Sequence, residues 1–132
     1  MISLKEHLIR QKINKKEKAL KFSCEGTNAL SLGNKSNNPV LYYKLSDMKD
    51  YEEWDYKSIE FGHGIDLFIK GDNPLGLSKG PDNFSYFIFS NEVPVECSGN
   101  IMWLLGENIN DIPCDYCFYF LFSNCYNLVT AP

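Results

Sequence analysis

Apolar and polar residues alternate along most of this chain, and that alternation predicts short β-strands. From Ala19 onward, runs of four to seven residues with apolar side chains at alternate positions are separated by turn-forming segments. This pattern is typical of half-buried strands in an antiparallel sheet. We predict eight strands, at residues 19–24, 29–32, 40–45, 51–56, 58–61, 65–70, 83–89 and 93–97. Eight short strands at such intervals predict a mainly β fold, an antiparallel β-sandwich.

Three tracts between the predicted strands favour turns. Residues 25–28, 33–39 and 71–81 each contain Gly together with Asn or Pro. These residue types supply the backbone conformations and the interruptions of pairing that turns need. We therefore predict a loop at each of the three tracts.

The amino-terminal segment has a helical pattern instead. Ser3 and Glu6 have the spacing of a capping box, and apolar residues follow at roughly helical intervals. We predict a basic amphipathic helix over residues 3–17, with a narrow apolar stripe. So short a helix needs a surface to pack against, either the chain's own body or another protein.

The changes of pattern divide the chain into three parts. Residues 1–18 form the predicted basic helix, and residues 19–100 form the predicted β-sandwich. Residues 101–132 differ again, because 101–105 are continuously apolar and fit either a short buried helix or a strand. A turn-rich segment then leads to the terminal residues, which read like one unit of a repeat.

Composition places the chain among globular proteins. It has 132 residues, of which 44% are hydrophobic and 23% charged. A domain of this size can bury a core without disulfides or metal. No stretch approaches the roughly 20 apolar residues of a membrane span, so we expect no membrane insertion. The amino terminus lacks a secretory pattern, so we expect folding in a cytoplasm with five reduced cysteines.

Charge is divided unevenly. The first 21 residues contain seven basic and two acidic residues, whereas the remaining 111 contain six basic and fifteen acidic ones. A basic arm on an acidic body suits a docking segment, a solvated helix face or a nucleic-acid contact. Because the arm has no aromatic residues between its basic ones, we expect no nucleic-acid partner.

Few residue groups suggest chemistry. Cys114 and Cys117 have redox or zinc-ligand spacing, but they lie in a strand-rich context with only Cys125 nearby, and we interpret them as structural. Asp47 and its acidic neighbours lack the alternating spacing of a calcium loop, and Trp54 resembles the buried tryptophan of an Asp-box hairpin. We predict no catalytic residues, no cofactor and no metal.

Tyrosine is abundant. The chain has eight tyrosines, more than a core of this size requires, and aromatic side chains at a surface suit contacts with sugars or proteins. The sequence does not select which of them are exposed.

The carboxyl-terminal residues resemble one unit of the BspA-like leucine-rich repeats. The match lies at Ile112, Pro113, Cys117, Phe118, Leu121, Phe122, Cys125, Leu128, Ala131 and Pro132. Looser matches resemble the non-repeat domain ahead of such repeats in proteins of Bacteroides and their phages. They lie at residues 29–32, 42–43, 53–56, 70–74 and 98–102. The resemblance implies that Ile112, Cys117, Phe118, Leu121, Phe122, Cys125 and Leu128 form the repeat core. One unit alone leaves an apolar face to cover, by further repeats or by the sandwich.

The resemblance implies a non-enzymatic structural or adhesion protein, a phage virion component such as a head or tail fibre or decoration protein. The chain would then be made in the bacterial cytoplasm and would bind other virion or surface proteins as a homo-oligomer. Its receptor would be a cell-surface protein or a glycan. The amino-terminal helix would anchor it to an acidic particle surface through Leu4, Leu8, Arg10, Lys12, Lys15 and Lys16. The alternative is a carbohydrate-binding β-sandwich module of a bacterial surface protein, within a longer chain.

Overall fold

The computed structural model describes residues 18–35, 37–106, 109, 118, 121–122 and 128–130. Within these residues the chain forms nine strands and one 3₁₀ helix. The strands are β1 (Leu20–Ser23), β2 (Thr27–Lys35), β3 (Leu41–Leu45), β4 (Glu52–Glu53), β5 (Ile59–Gly62), β6 (Leu67–Gly71), β7 (Phe84–Phe89), β8 (Val95–Ser98) and β9 (Leu128–Thr130), and the 3₁₀ helix spans Ile101–Leu104. The predicted helix at 3–17, with its six anchoring residues, lies outside the described residues.

The strands form two sheets that face each other. The larger sheet has the order β4-β3-β6-β1-β8-β9, and the smaller has the order β5-β2-β7. All pairs are antiparallel except β8 with β9, which are parallel. The mainly β, antiparallel architecture predicted from the alternation is therefore confirmed.

The core lies between the sheets and is rich in aromatic residues. Phe22 of β1 has its ring centroid 5.5 Å from that of Phe87 and 5.8 Å from that of Phe89, both on β7. The edge-to-face arrangement of Phe22 and Phe87 is favoured by the ring quadrupoles. Leu20, Leu30 and further inward residues of both sheets are fully buried around these rings.

One predicted loop is a strand at its start. Residues 33–35 continue β2, where Gly33 pairs with Tyr86 of β7. The ring of Tyr86 lies so close to Gly33 that a β-carbon there would overlap it. Glycine weakens a strand because it has no side chain to pack, and here the ring of a cross-strand residue covers the position. The loop prediction at 33–39 was wrong for its first three residues for this reason.

Two other boundaries also differ. β2 begins at Thr27, inside the tract predicted as a turn at 25–28, and β4 contains only Glu52 and Glu53 of the predicted strand at 51–56. Trp54 leaves the sheet to enter the core with 3% exposure, while its indole Nε1–H donates to the Lys57 carbonyl at 2.8 Å. Trp54 is therefore a core residue.

Residues just after position 100 belong to the same core. In the apolar segment at 101–105, Ile101–Leu104 form a 3₁₀ helix, which is the helical alternative rather than the strand. Its first three residues are half-buried, and Leu104 and Leu105 are fully buried. Asn73 holds them in place, since its Nδ2 donates to the Leu104 carbonyl and its backbone N–H to the Leu105 carbonyl. Packing of the sandwich therefore includes residues on both sides of position 100.

The described parts of the carboxyl-terminal segment pack against both sheets. Phe118 and Phe122 are partly buried against the core and Leu121 is 2% exposed, while β9, which begins at Leu128, pairs with β8. Of the predicted repeat core, Ile112, Cys117 and Cys125 lie outside the described residues. No helix in the described part of the chain is long and apolar enough to cross a bilayer.

Candidate binding face

The outward face of the larger sheet carries lysines interleaved with aromatic residues. Leu20 and Phe22 point into the core, so Lys21 between them points outward. On β3, Tyr43 and Leu45 pack against the core, and on β6, Leu67 and Ile69 are buried, so the residues between them point outward. We call this surface the lysine–aromatic face. It consists of Lys21, Tyr42, Lys44, Tyr51, Phe68 and Lys70.

The strand register places these residues side by side. Phe68 on β6 pairs with Lys44 on β3 and with Lys21 on β1, so two lysines flank one ring across three neighbouring strands. Tyr42 on β3 pairs with Lys70 on β6. Residues directly opposite in an antiparallel sheet have β-carbons about 5 Å apart, which brings ammonium groups and rings into contact.

Two of the ammonium groups lie over rings. Lys70 Nζ is 4.0 Å from the centroid of the Tyr51 ring. Lys44 Nζ lies 5.5 Å from the Tyr51 centroid and 5.8 Å from that of Phe68. Cation–π contacts at exposed sites contribute about 0.5–1 kcal/mol, enough to favour one arrangement of long side chains. The rings therefore favour positions of the Lys44 and Lys70 ammonium groups close to Tyr51.

Carboxylates also lie on this face. Lys21 Nζ is 3.5 Å from Asp66 Oδ2, Glu53 pairs with Tyr42 at the β4 edge, and Glu96 is exposed on β8. Exposed ion pairs such as Lys21–Asp66 contribute little stability. Three lysines and three carboxylates make this face close to neutral, on a chain whose formal net charge is −4.

Two other tyrosines have structural roles. The Tyr43 hydroxyl donates to Glu52 Oε2 at 3.0 Å, and that hydrogen bond is the main reason why the Tyr43 pKa is raised. The Tyr56 hydroxyl donates to the Pro39 carbonyl at 2.5 Å, and burial raises its pKa. These contacts hold β4 and its neighbouring turn, which leaves Tyr42 and Tyr51 on the lysine–aromatic face. Tyr116, Tyr119 and Tyr126 lie outside the described residues.

A cavity of about 320 Å³ opens beside Cys24. It is lined by Ser23, Cys24, Glu25, Val93, Pro94 and Glu96. The Cys24 thiol donates to the Gly26 carbonyl at 3.3 Å, and burial is the main cause of its raised pKa. A raised pKa keeps the sulfur as a thiol rather than the nucleophilic thiolate. This environment suits a structural cysteine.

A second cavity of about 400 Å³ lies between the loops at 37–39 and 72–83 and is lined by several asparagines. Asn37 Nδ2 donates to the Leu77 carbonyl at 2.6 Å and to Ser85 Oγ at 2.9 Å. Asn73 Nδ2 bonds the Val40 carbonyl at 2.8 Å. The amides of Asn37 and Asn73 thus join the two loops to each other and to the core.

The hairpin that contains Asp47 and its acidic neighbours has no metal-binding geometry. Across the described residues, no three side chains of His, Cys, Asp or Glu are grouped so that they could hold a metal ion. Ser46 fixes the hairpin instead, because its N–H donates to the Asp66 carbonyl and its Oγ accepts from the Asp66 N–H. Cys114 and Cys117 lie outside the described residues.

Sequence reasoning identified tyrosines as a group but missed this face. The signal was present, because Tyr42, Lys44, Phe68 and Lys70 stand at alternate positions of two predicted strands. Recognising it required knowing that β3 pairs with β6 and β6 with β1, although other strands separate them along the chain.

Comparisons of the chain with protein-family models, with curated proteins and with solved structures found no match.

Proposed function

We propose that the chain is a non-enzymatic structural and attachment protein, and that the lysine–aromatic face is its contact surface. The observation that carries this proposal is the placement of Lys70 at 4.0 Å and Lys44 at 5.5 Å from the ring of Tyr51. An aromatic ring with positive charge over it on a sheet suits recognition of another surface, since tyrosines are enriched at binding hot spots.

The shape of the face favours an extended partner. Side chains on a paired sheet are held more firmly than side chains on loops, and this face spans β3, β6 and β1. Small-molecule sites are concave and enclose most of their ligand. An open sheet surface fits a polymer or a cell surface better.

The virion setting is part of the same proposal and rests on the BspA-like resemblance. On this proposal residues 1–18 anchor the chain to a particle, and the chain assembles as a homo-oligomer with other virion proteins. Phe118, Leu121 and Phe122, three positions of the proposed repeat core, contact the body. Packing of this kind supports a terminal repeat unit that covers its apolar face against the sandwich.

The attachment function is tested with beads coated with the full chain and mixed with bacterial cells. We expect beads carrying the chain to adhere, and beads carrying the Lys44→Gln/Lys70→Gln variant to adhere less. A control variant, Lys57→Gln/Lys79→Gln, removes the same charge from exposed positions outside the face. Equal adhesion of coated and uncoated beads would refute the attachment function. An antibody against the chain should also label purified phage particles, and failure to label them would refute the virion setting.

A carbohydrate-binding module is the second candidate, and one observation favours it. On the outward face of the smaller sheet, Tyr86 packs against Gly33 and its ring centroid is 5.8 Å from that of Phe84. Paired rings on an open surface suit stacking with neutral sugars. Binding of neutral oligosaccharides that is lost in Tyr86→Ala, with the lysine variants unaffected, would favour this candidate.

A further inference from the structure

We infer that the lysine–aromatic face binds an acidic polysaccharide, a polymer of sugar rings that carry carboxylates. This inference rests on the proposed attachment function and names the partner. Its basis is the alternation of cations and rings across neighbouring strands, which matches a ligand that combines an apolar ring face and a negative charge in each unit.

The order across the sheet is Lys44, Phe68, Lys21. Neighbouring strands lie about 4.8 Å apart, so the α-carbons of the two lysines are separated by about 10 Å with the phenyl ring between them. A sugar ring stacked on Phe68 would lie near Lys44, whose Nζ is 5.8 Å from the Phe68 centroid, and near Lys21, which is paired with Asp66. Charge-assisted hydrogen bonds from these groups to carboxylates are the stronger class of polar contact.

A second ring extends the same arrangement. Tyr42 is diagonal to Phe68 on the outward face and pairs directly with Lys70. Diagonal neighbours in a sheet are about 7–8 Å apart, within reach of one another for aromatic side chains. Tyr42 and Phe68 therefore form two stacking positions, each with a lysine as its direct cross-strand partner.

Two of the three lysines already contact rings in the unbound chain. Lys70 Nζ lies 4.0 Å from the centre of the Tyr51 ring, and Lys44 Nζ contacts both Tyr51 and Phe68. Immobilising a flexible side chain on binding costs about 0.5–1.5 kcal/mol, and contacts with rings reduce that cost.

The charge of the face argues against a nucleic acid. Nucleic acid carries a phosphate on every nucleotide, and proteins that bind it neutralise several phosphates at once. This face offers three lysines together with Asp66, Glu53 and Glu96. An acidic sugar polymer also carries one charge per unit, but each of its rings has neutral hydroxyls that can donate hydrogen bonds to the acidic residues of the face.

An acidic peptide fits less well. It would use the lysines but would leave Tyr42 and Phe68 without a matching ring. These two aromatic residues stand on the solvent side of the sheet, and neither is among the side chains packed against the core. A ligand made of rings uses both kinds of residue.

The experiment compares four polymers bound to the full chain by isothermal titration calorimetry. Polygalacturonate supplies rings and carboxylates, its fully methyl-esterified form supplies rings without charge, polyglutamate supplies carboxylates without rings, and oligo(dT) supplies phosphates and bases. We expect polygalacturonate to bind at least tenfold more tightly than each of the other three. Raising the salt from about 0.01 M to about 0.15 M should weaken that binding, because the Debye length falls from about 30 Å to about 8 Å.

Variants locate the site. Lys44→Gln/Lys70→Gln should raise the Kd for polygalacturonate at least tenfold, and Tyr42→Ala should raise it several-fold without changing the response to polyglutamate. The control Lys57→Gln/Lys79→Gln should leave the Kd within twofold. Gln keeps the aliphatic stem, and thermal unfolding of each variant checks its fold. If a variant unfolds, the inference is still tested by comparing how tightly the unaltered chain binds polygalacturonate and its methyl-esterified form.

Several results would overturn the inference. They are the absence of polygalacturonate binding, equal binding by the lysine variant and the unaltered chain, and tighter binding of polyglutamate or oligo(dT). If coated beads adhere to cells but the chain does not bind polygalacturonate, this inference is refuted and the proposed attachment function is not. If the beads do not adhere and the chain does not bind polygalacturonate, both the attachment function and this inference are refuted.

Discussion

Phe87 donates its backbone N–H to the carbonyl oxygen of Leu121 at 2.8 Å. Phe87 lies on β7, at the edge of the smaller sheet, and Leu121 belongs to the segment that follows the sandwich. The ring of Phe122 is also 5.5 Å from that of Phe87. An exposed sheet edge is a template for pairing with other chains, and this contact occupies part of the β7 edge.

Leu121→Ala should destabilise the whole sandwich, because Leu121 is 2% exposed and belongs to the common core. Removing a buried leucine side chain costs about 2–5 kcal/mol of unfolding free energy. Leu75→Ala, at a residue 77% exposed, is the control and should change stability by less than about 0.5 kcal/mol. Urea unfolding of both variants measures the difference. Equal midpoints would mean that Leu121 does not stabilise the body.

Gly33→Ala should destabilise the protein by about 1–3 kcal/mol, because the added methyl group overlaps the Tyr86 ring. Combining it with Tyr86→Ala should cost less than the sum of the two single changes, since the overlap is then gone. Gly80→Ala is the matched control, because a β-carbon at Gly80 would meet open space. Urea unfolding of the four variants gives the coupling energy. Strict additivity would show that the ring does not restrict position 33.

Strand positions could be predicted because the inward residues are strongly apolar. Leu20 and Phe22, or Leu67 and Ile69, alternate with polar or half-buried residues, and this local pattern reflects burial directly. The predicted strand boundaries were wrong where contact with a residue distant in sequence determines the backbone conformation. Gly33 belongs to β2 because the Tyr86 ring covers it. The two residues are far apart in sequence, so a local pattern of apolar and polar residues cannot predict this contact.

For the candidate site, the sequence predicted that surface tyrosines could make contacts, but it did not predict which residues form the face. Lys44 and Phe68 form a cross-strand pair because β3 and β6 are neighbours in the sheet, and nothing in either strand alone specifies the neighbour. The sequence interpretation of Asp47 and its neighbours also missed Ser46, whose role depends on Asp66 reaching the same turn. Local periodicity indicates which side of a strand is outward, whereas a binding face depends on strand order.

Asn28→Asp should be among the most damaging single substitutions. Asn28 is fully buried, and its Nδ2 donates to the carbonyls of Asn91 and Val93 while its Oδ1 accepts from the N–H groups of Ala29 and Asn91. An aspartate would place a carboxylate oxygen against two carbonyl oxygens, in a buried site. Leaving buried polar groups unpaired costs about 1–3 kcal/mol, and more for a charge.

The control for Asn28 is Asn38→Asp, at an exposed residue, which should change stability by less than about 0.5 kcal/mol. Both substitutions add one negative charge, so the comparison separates the loss of buried hydrogen bonds from the change in net charge. Similar unfolding midpoints for the two variants would contradict the structural role of Asn28.

Tyr43 should make stability depend on alkaline pH. Its hydrogen bond to Glu52 raises the folded-state pKa above the ordinary value of about 10. The folded state then holds the hydroxyl proton more firmly than the unfolded state. The contribution of Tyr43 to stability is therefore complete below pH 10 and decreases as the pH rises through the folded-state pKa.

The measurement is ultraviolet titration of tyrosine ionisation, combined with urea unfolding at pH 8 and at about pH 11. Tyr43→Phe should remove one high-pH ionisation and reduce the loss of stability between the two pH values. Glu52→Gln removes the carboxylate but can still accept a hydrogen bond, so the Tyr43 pKa should move back toward its ordinary value. Tyr56, whose pKa is raised by burial, keeps its contribution in both variants. An unchanged titration in Glu52→Gln would mean that Glu52 does not control Tyr43.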